Sequence, residues 1–154
     1  MIPLYDTIRS RQFPFINWLL ILANAAVFWY ELQLGESVLQ GFIFTWGLIP
    51  AELVANPNGE WRTIFSSMFL HGGWFHLLSN MWVLYIFGDN IEDRVGSLRY
   101  LLFYLMSGIA AAFLQIFVMQ GSSLPMIGAS GAIAGILGAY LISYPGARIA
   151  SLVP

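Results

Sequence analysis

From Leu98 to Met119 the chain carries one charged residue, Arg99, and is otherwise almost wholly apolar. That length matches the roughly 20 residues with which a helix crosses the hydrocarbon of a bilayer. No water is present there to take up backbone N–H and C=O groups, so the run must satisfy them within itself, as a helix does. The rest of the chain agrees. It is 58% hydrophobic and 9% charged with a mean hydropathy of +0.73, whereas a soluble domain is about 25% charged. The fold class that follows is an all-α membrane protein, a polytopic bundle of helices embedded in lipid.

Several functions drop out at once. The formal net charge is −2, every cation is an arginine and none of them forms a basic run, so the electrostatic footprint of a nucleic-acid partner is missing. Cysteine is absent, which removes disulfides and thiolate catalysis. With His71 and His76 as the sole histidines, no metal site and no cofactor are expected. No internal repeat is visible, which leaves an inverted-repeat transporter unsupported.

Read in order, residues 1–16 form a short polar lead with Arg9 and Arg11, expected to be a tail on the cytoplasmic side. Asn17 to about Leu34 is the first span; Ala23-Asn24-Ala25 resembles a signal-peptidase site, but the apolar run continues past it to Tyr30. Between Gly35 and Arg62 the glycines and prolines Gly41, Gly47, Pro50, Pro57 and Gly59 break any spanning helix. That segment is expected to lie in the membrane interface, where its tryptophans are favoured. A second span runs from about Phe65 or Phe69 to Phe87 and ends at Gly88, followed by a charged turn from Asp89 to Arg99. The third covers Leu98 to Met119. The fourth begins near Gly128 and ends near Tyr144. Arg9, Arg11, Arg94, Arg99 and Arg148 then fall on one side and Arg62 on the other, which places the N-terminus in the cytoplasm. Glu31, Glu36, Glu52 and Glu60 fall at or near the outer face.

The fourth span holds the chemistry. Gly128, Gly131, Gly135 and Gly138 recur at spacings of three and four, a bare stripe against which another helix can close. Ser130 stands beside its start, in a first turn whose N–H groups lack helical partners and where the helix dipole favours negative charge. In this threading the second and fourth spans both enter from the outer face. Their first turns lie at one level, and His76 and Asn80, four apart, share a helix face that can meet Ser130. The fourth helix is only about 22 Å long from Ser130 to Tyr144, against roughly 30 Å of hydrocarbon, so its start sits deep, beside a loop that needs protein or water around it. A wet pocket is expected there. Singly, His76 and Asn80 read as interhelical glue at about 0.6 kcal/mol per contact, and the glycine-rich helix as packing. Together with a serine they fit acyl transfer, with the Ser130 N–H and the two side chains as an oxyanion hole.

Those residues are familiar as a set. Gly128-Ala129-Ser130-Gly131 resembles the G-x-S-G motif of the rhomboid family of intramembrane serine proteases. His76-Leu77-Leu78-Ser79-Asn80 resembles that family's H-x-x-x-N, and Trp61-Arg62 its first-loop tryptophan-arginine pair. The resemblance implies a six-helix core, of which four transmembrane helices and an interfacial first loop are present in one domain, 1–154, incomplete at its C-terminus. It implies that Ser130 is the nucleophile, that His76 and Asn80 stabilise the oxyanion, and that transmembrane proteins in the lipid bilayer are the substrates. Trp61 and Arg62 would brace the first loop, and His71 would play a supporting part. The membrane is compatible with a bacterial inner (plasma) membrane, and the N-terminus with a cytoplasmic one.

One departure stands out. The family's general base is a histidine on a sixth helix, and residues 147–154 resemble the turn leading to a fifth. Serine without a neighbouring base is a poor nucleophile, so the chain alone is expected to be inactive. His76 as base is the variant reading, although one imidazole does not readily donate to the oxyanion and accept the serine proton in the same step. The helix that would close on the glycine stripe also belongs to the missing part, which leaves the stripe facing lipid or a void. Two other readings stay open: a pseudoprotease or chaperone that binds transmembrane segments without cutting them, and an unrelated channel or scaffold bundle.

Overall fold

A computed structural model describes residues 2–152. Strand β1 (Ile2–Asp6) precedes α1 (Phe15–Gln33). Three helices follow, α2 (Glu36–Trp46), α3 (Pro50–Ala55) and α4 (Pro57–Glu60), and α5 (Thr63–Ser66) runs into a 3-10 turn at Ser67–Phe69. Then come α6 (Trp74–Val83), a π-helical turn (Leu84–Gly88), α7 (Asp89–Val95), α8 (Ser97–Val118), α9 (Ser130–Ser143) and β2 (Ile149–Leu152). This is an all-α membrane fold. Among the described residues, α1 and α8 are long and apolar enough to cross a bilayer. The outward faces are apolar: Phe75, Ile142 and Phe117 are 87%, 84% and 74% exposed. Apolar side chains this exposed suit contact with lipid rather than with water.

The inward faces follow from spacing. On α8, Tyr100, Tyr104, Gly108, Ala112 and Ile116 recur every four residues and are the buried ones, a ridge of the kind that beds into a neighbouring helix. On α9 the buried set is Ala132, Ile133, Ile136 and Tyr140. These two helices close on each other through the glycine stripe. A Cβ at Gly131 would lie 2.5 Å from that of Ala111, and one at Gly135 would meet Ser107 of α8. The expectation that the stripe faces lipid or a void is thereby corrected at Gly131 and Gly135. Gly138 has nothing within 4 Å of its would-be Cβ.

Two boundaries also differ. The second span starts at Trp74 rather than at Phe65 or Phe69, because Thr63–Phe69 forms the separate short helix and turn whose Ile64 and Met68 pack against Ala112 and Ile116. The helix itself does not stop at Gly88. The backbone stays helical through Gly88 and Asp89 into α7, and the charged stretch is helix up to Gly96, whose φ of +84° turns the chain into α8. At Gly88 a Cβ would sit 2.6 Å from the Tyr100 hydroxyl, so glycine is there for close approach.

The end where α7 meets α8 is dense with hydrogen bonds. Glu92 of α7 accepts the N–H groups of Ile16 (3.0 Å) and Asn17 (2.7 Å), capping the otherwise unpaired first turn of α1 from another helix. Ser97 donates to the same carboxylate at 2.5 Å. The Asn17 amide donates to the Leu84 carbonyl of the π turn at 3.0 Å and its oxygen accepts the Tyr100 hydroxyl at 2.7 Å. Here too lies a feature absent from the sequence reading: the polar lead is partly strand, with β1 paired antiparallel to β2.

Candidate active site

Ser130 is the first residue of α9, solvent-accessible at its tip. Among the described residues no side chain caps that helix, so its first-turn N–H groups have no side-chain partner there. A cavity of about 140 Å³ opens beside the hydroxyl, with Ser67, Met68, Gln115 and Gly131 among its walls. The loop before α9 is anchored by backbone pairing. Leu48 and Met126 exchange hydrogen bonds at 3.0 and 2.7 Å, Ala51 donates to the Ser122 carbonyl at 3.1 Å, and Gly128 donates to that of Ser67 at 2.8 Å. The first loop thus holds the serine loop in place.

His76 comes to the same spot from α6. Its Nδ1 accepts the Gly72 N–H at 3.4 Å, so in the neutral ring the proton sits on Nε2. Nε2 presses on Gly128, where a Cβ would lie 2.5 Å from it. Gly128 also has φ +119°, a conformation that side chains disfavour. Both facts call for glycine. Asn80 is 7% exposed and donates to His71 Nε2 at 3.1 Å. His71 Nδ1 in turn donates to the Phe69 carbonyl at 3.2 Å, the tautomer that leaves Nε2 free to accept. The two imidazoles stand edge to face, centroids 5.0 Å apart.

The structure therefore brings His76 to the loop two residues before Ser130, and fixes Asn80 through His71. Among the described residues, no hydrogen bond joins the serine to either side chain, and neither His76 nor Asn80 lines the cavity beside it. Trp61 and Arg62 are exposed; Trp61 lies edge-on to Phe65 at 6.3 Å and the Arg62 guanidinium sits 5.5 Å over the Trp46 ring. Arg62 also accepts the N–H groups of Phe65 and Ser66 through its carbonyl. Among the described residues, no cluster of His, Asp or Glu could hold a metal.

Glu31 escaped the sequence reading, which set it at or near the outer surface. It is 2% exposed, and its carboxylate accepts the His71 backbone N–H at 3.2 and 3.3 Å. A signal existed: Asn17, Asn24 and Glu31, seven apart, form one polar stripe on an apolar helix, and all three are buried.

Comparison with known proteins adds an independent line. The Rhomboid domain profile matches residues 58–154. Over 133 residues the chain is 33% identical to the putative rhomboid protease YdcA of Bacillus subtilis, covering 85% of this chain and 63% of that one. It is 35% identical over 128 residues to the rhomboid protease GluP of the same organism, covering 83% and 24%. With RHOMBOID-like protein 6, mitochondrial, of Arabidopsis thaliana it shares 39% over 95 residues, covering 62% and 30%. The chain thus spans less than two thirds of the length of each of these relatives.

Proposed function

The chain belongs to the rhomboid family, and on that premise we propose that it carries the nucleophile and the oxyanion hole of an intramembrane serine endopeptidase. Ser130 Oγ attacks the carbonyl carbon of a peptide bond in a transmembrane substrate. The negative charge that develops on the carbonyl oxygen is met by the Ser130 N–H, by Nε2–H of His76 and by the second amide proton of Asn80, the first being committed to His71. The observation that carries this reading is the contact of His76 Nε2 with Gly128 at the mouth of α9. It sets a donor, already in the donating tautomer, beside the serine loop.

The serine proton needs an acceptor, and neither ring of this chain offers one. His71 Nε2 is taken by Asn80, and His76 Nδ1 by Gly72. Residues 1–154 alone should then hydrolyse peptides orders of magnitude more slowly than an enzyme with a positioned base. The same occupancy favours a second reading, a non-cleaving member that binds transmembrane segments in the same niche.

The N-terminus is assigned to the cytoplasm, with arginines as the support. The lead that contains Arg9 and Arg11 bonds to Asp93 and to Arg148, next to Arg94 and Arg99, and Arg62 stands apart. A serine-directed fluorophosphonate tests the reading: it is expected to label Ser130 in the full-length gene product and not in its Ser130→Ala variant. A folded full-length protein that stays unlabelled rejects the protease and leaves the binding protein.

A further inference from the structure

Resting on that assignment of Ser130, His76 and Asn80, we propose that Asp6 is a positioning residue. From the far end of the bundle its carboxylate locks the axial register between the helix bearing His76 and Asn80 and the helix bearing Ser130.

One oxygen of Asp6 accepts two bonds, from the Tyr140 hydroxyl at 2.5 Å and from the Asn90 amide at 3.0 Å. Tyr140 belongs to α9, and Asn90 to α7, the continuation of α6. Both are 1% exposed. A second bond runs between the same two helices, from the Tyr144 hydroxyl to the Asn90 carbonyl at 3.2 Å, and Phe87 lies edge-on to the Tyr140 ring at 4.8 Å. Asp6 is itself held: it pairs with Ile149 in the strand ladder, and the next residue, Thr7, exchanges bonds with Arg148 at 3.1 Å each. The segment after α9 thus holds the backbone of Asp6 in place while Tyr140 and Asn90 hold its carboxylate.

The spacing gives the knot its consequence. Asn80 and Asn90 are as far apart in sequence as Ser130 and Tyr140, about 15 Å along an α-helix at 1.5 Å per residue and somewhat less across the π turn between the two asparagines. The two helices run the same way, so a tie at Asn90 and Tyr140 brings Asn80 to about the level of Ser130 at the other end. No hydrogen bond among the described residues does this at the site itself, where His76 merely abuts Gly128. Releasing the tie leaves α9 packed on α8 and anchored through Gly128, but less firmly registered against the α6–α7 helix, and a misplacement of about 1 Å costs about 100-fold in rate.

The test uses the full-length gene product in phospholipid vesicles, with a fluorogenic transmembrane peptide assayed well below the melting temperature. Asp6→Ala and Tyr140→Phe are expected to lower kcat about 10- to 100-fold with KM unchanged, and Asp6→Asn, which keeps an acceptor oxygen, to restore most of it. Tyr140→Phe loses a single oxygen, so it serves if Asp6→Ala does not fold. A second readout needs no activity. The chain has no cysteine, so spin labels at Phe75→Cys and Ala134→Cys, both exposed, report the distance between the two helices. That distance is expected to shift or broaden by about one helical residue, ~1.5 Å, in Asp6→Ala. Unchanged kcat with an unchanged distance overturns the proposal, even if the melting temperature falls. If wild type is neither labelled by fluorophosphonate nor active, the protease reading fails and the distance still decides the register.

Discussion

The two ends of this bundle are built on opposite terms. At the strand end, buried polar groups are tied across the chain: Glu92 takes three donors, Asn17 bridges the π turn to Tyr100, and Asp6 joins two helices. At the other end, among the described residues, Ser130 has no side-chain partner and no side chain caps its helix, and a cavity stands open beside it. Buried donors left unpaired cost free energy, whereas the exposed Ser130 leaves its groups open to water until a substrate takes them up. Here the hydrogen bonds that hold the fold and the groups kept for chemistry have been separated by the length of a helix. Stability should therefore respond more strongly to mutation at the strand end, whereas the groups that would touch substrate lie at the other.

The largest effect that would break this contrast is at Glu92. It is 3% exposed, and Glu92→Ala strands the N–H groups of Ile16 and Asn17 together with the Ser97 hydroxyl. A loss of about 3 kcal/mol is expected, since hydrogen bonds to a charged group contribute about 1.5–3 kcal/mol each and do not add fully. Ser130→Ala should change stability by less than about 0.5 kcal/mol while abolishing labelling. Denaturant titration of both variants in the same detergent reads the contrast. If Ser130→Ala destabilises as much as Glu92→Ala, the serine end is part of the structural network and the separation is wrong.

The sequence showed the two ends unequally. Helix α8 was readable within a residue at each end, because an unbroken apolar run has one solution in lipid. The start of α9 was readable because Pro125 and the glycines mark the loop before it. The stretch from Phe65 to Leu70 looked like membrane span since its letters are apolar, but apolar letters also suit a short helix packed against α8, and composition does not tell these apart. Gly88 looked like a terminator, yet it is a point of contact with Tyr100. The strand pair and the Asp6 knot were illegible for a different reason. Their partners lie 84 or more residues apart, and a five-residue strand with a proline has no periodicity to betray it. Of the candidate site, the residue types and their shared level could be argued from spacing; the route that fixes Asn80, through His71 to Phe69, required coordinates.

That route alters what Asn80→Ala should do. A side chain whose partner appears only in the transition state would be lost without cost to the resting fold. Asn80 has a resting partner, His71 Nε2, so the substitution should cost about 1 kcal/mol of stability as well as about 3 kcal/mol of barrier, roughly 100-fold in kcat. His71→Ala offers the sharper comparison: it keeps the Asn80 amide and removes what holds it. Turnover should fall less than in Asn80→Ala, with a similar change in stability. Equal turnover losses would place His71 in the reaction itself.

The smallest effect concerns charge at the strand end. Asp89 begins α7, just past the π turn, and burial raises its carboxyl above the usual carboxylate range, with the Asp6 carboxylate adding to the rise and bonds from Ser10 and the Asn90 N–H opposing it. A group whose folded value is raised contributes stability that is fully present below its unfolded value and is lost as pH rises through the folded one. Asp89→Asn should therefore be neutral in acid and slightly stabilising at neutral pH, by less than any change above, because the amide keeps an acceptor for Ser10 and sheds the repulsion from Asp6. Melting temperatures of wild type and Asp89→Asn across an acid-to-neutral series read the difference. If wild type instead becomes the more stable of the two as pH rises towards neutral, the carboxylate form of Asp89 is the one the fold prefers.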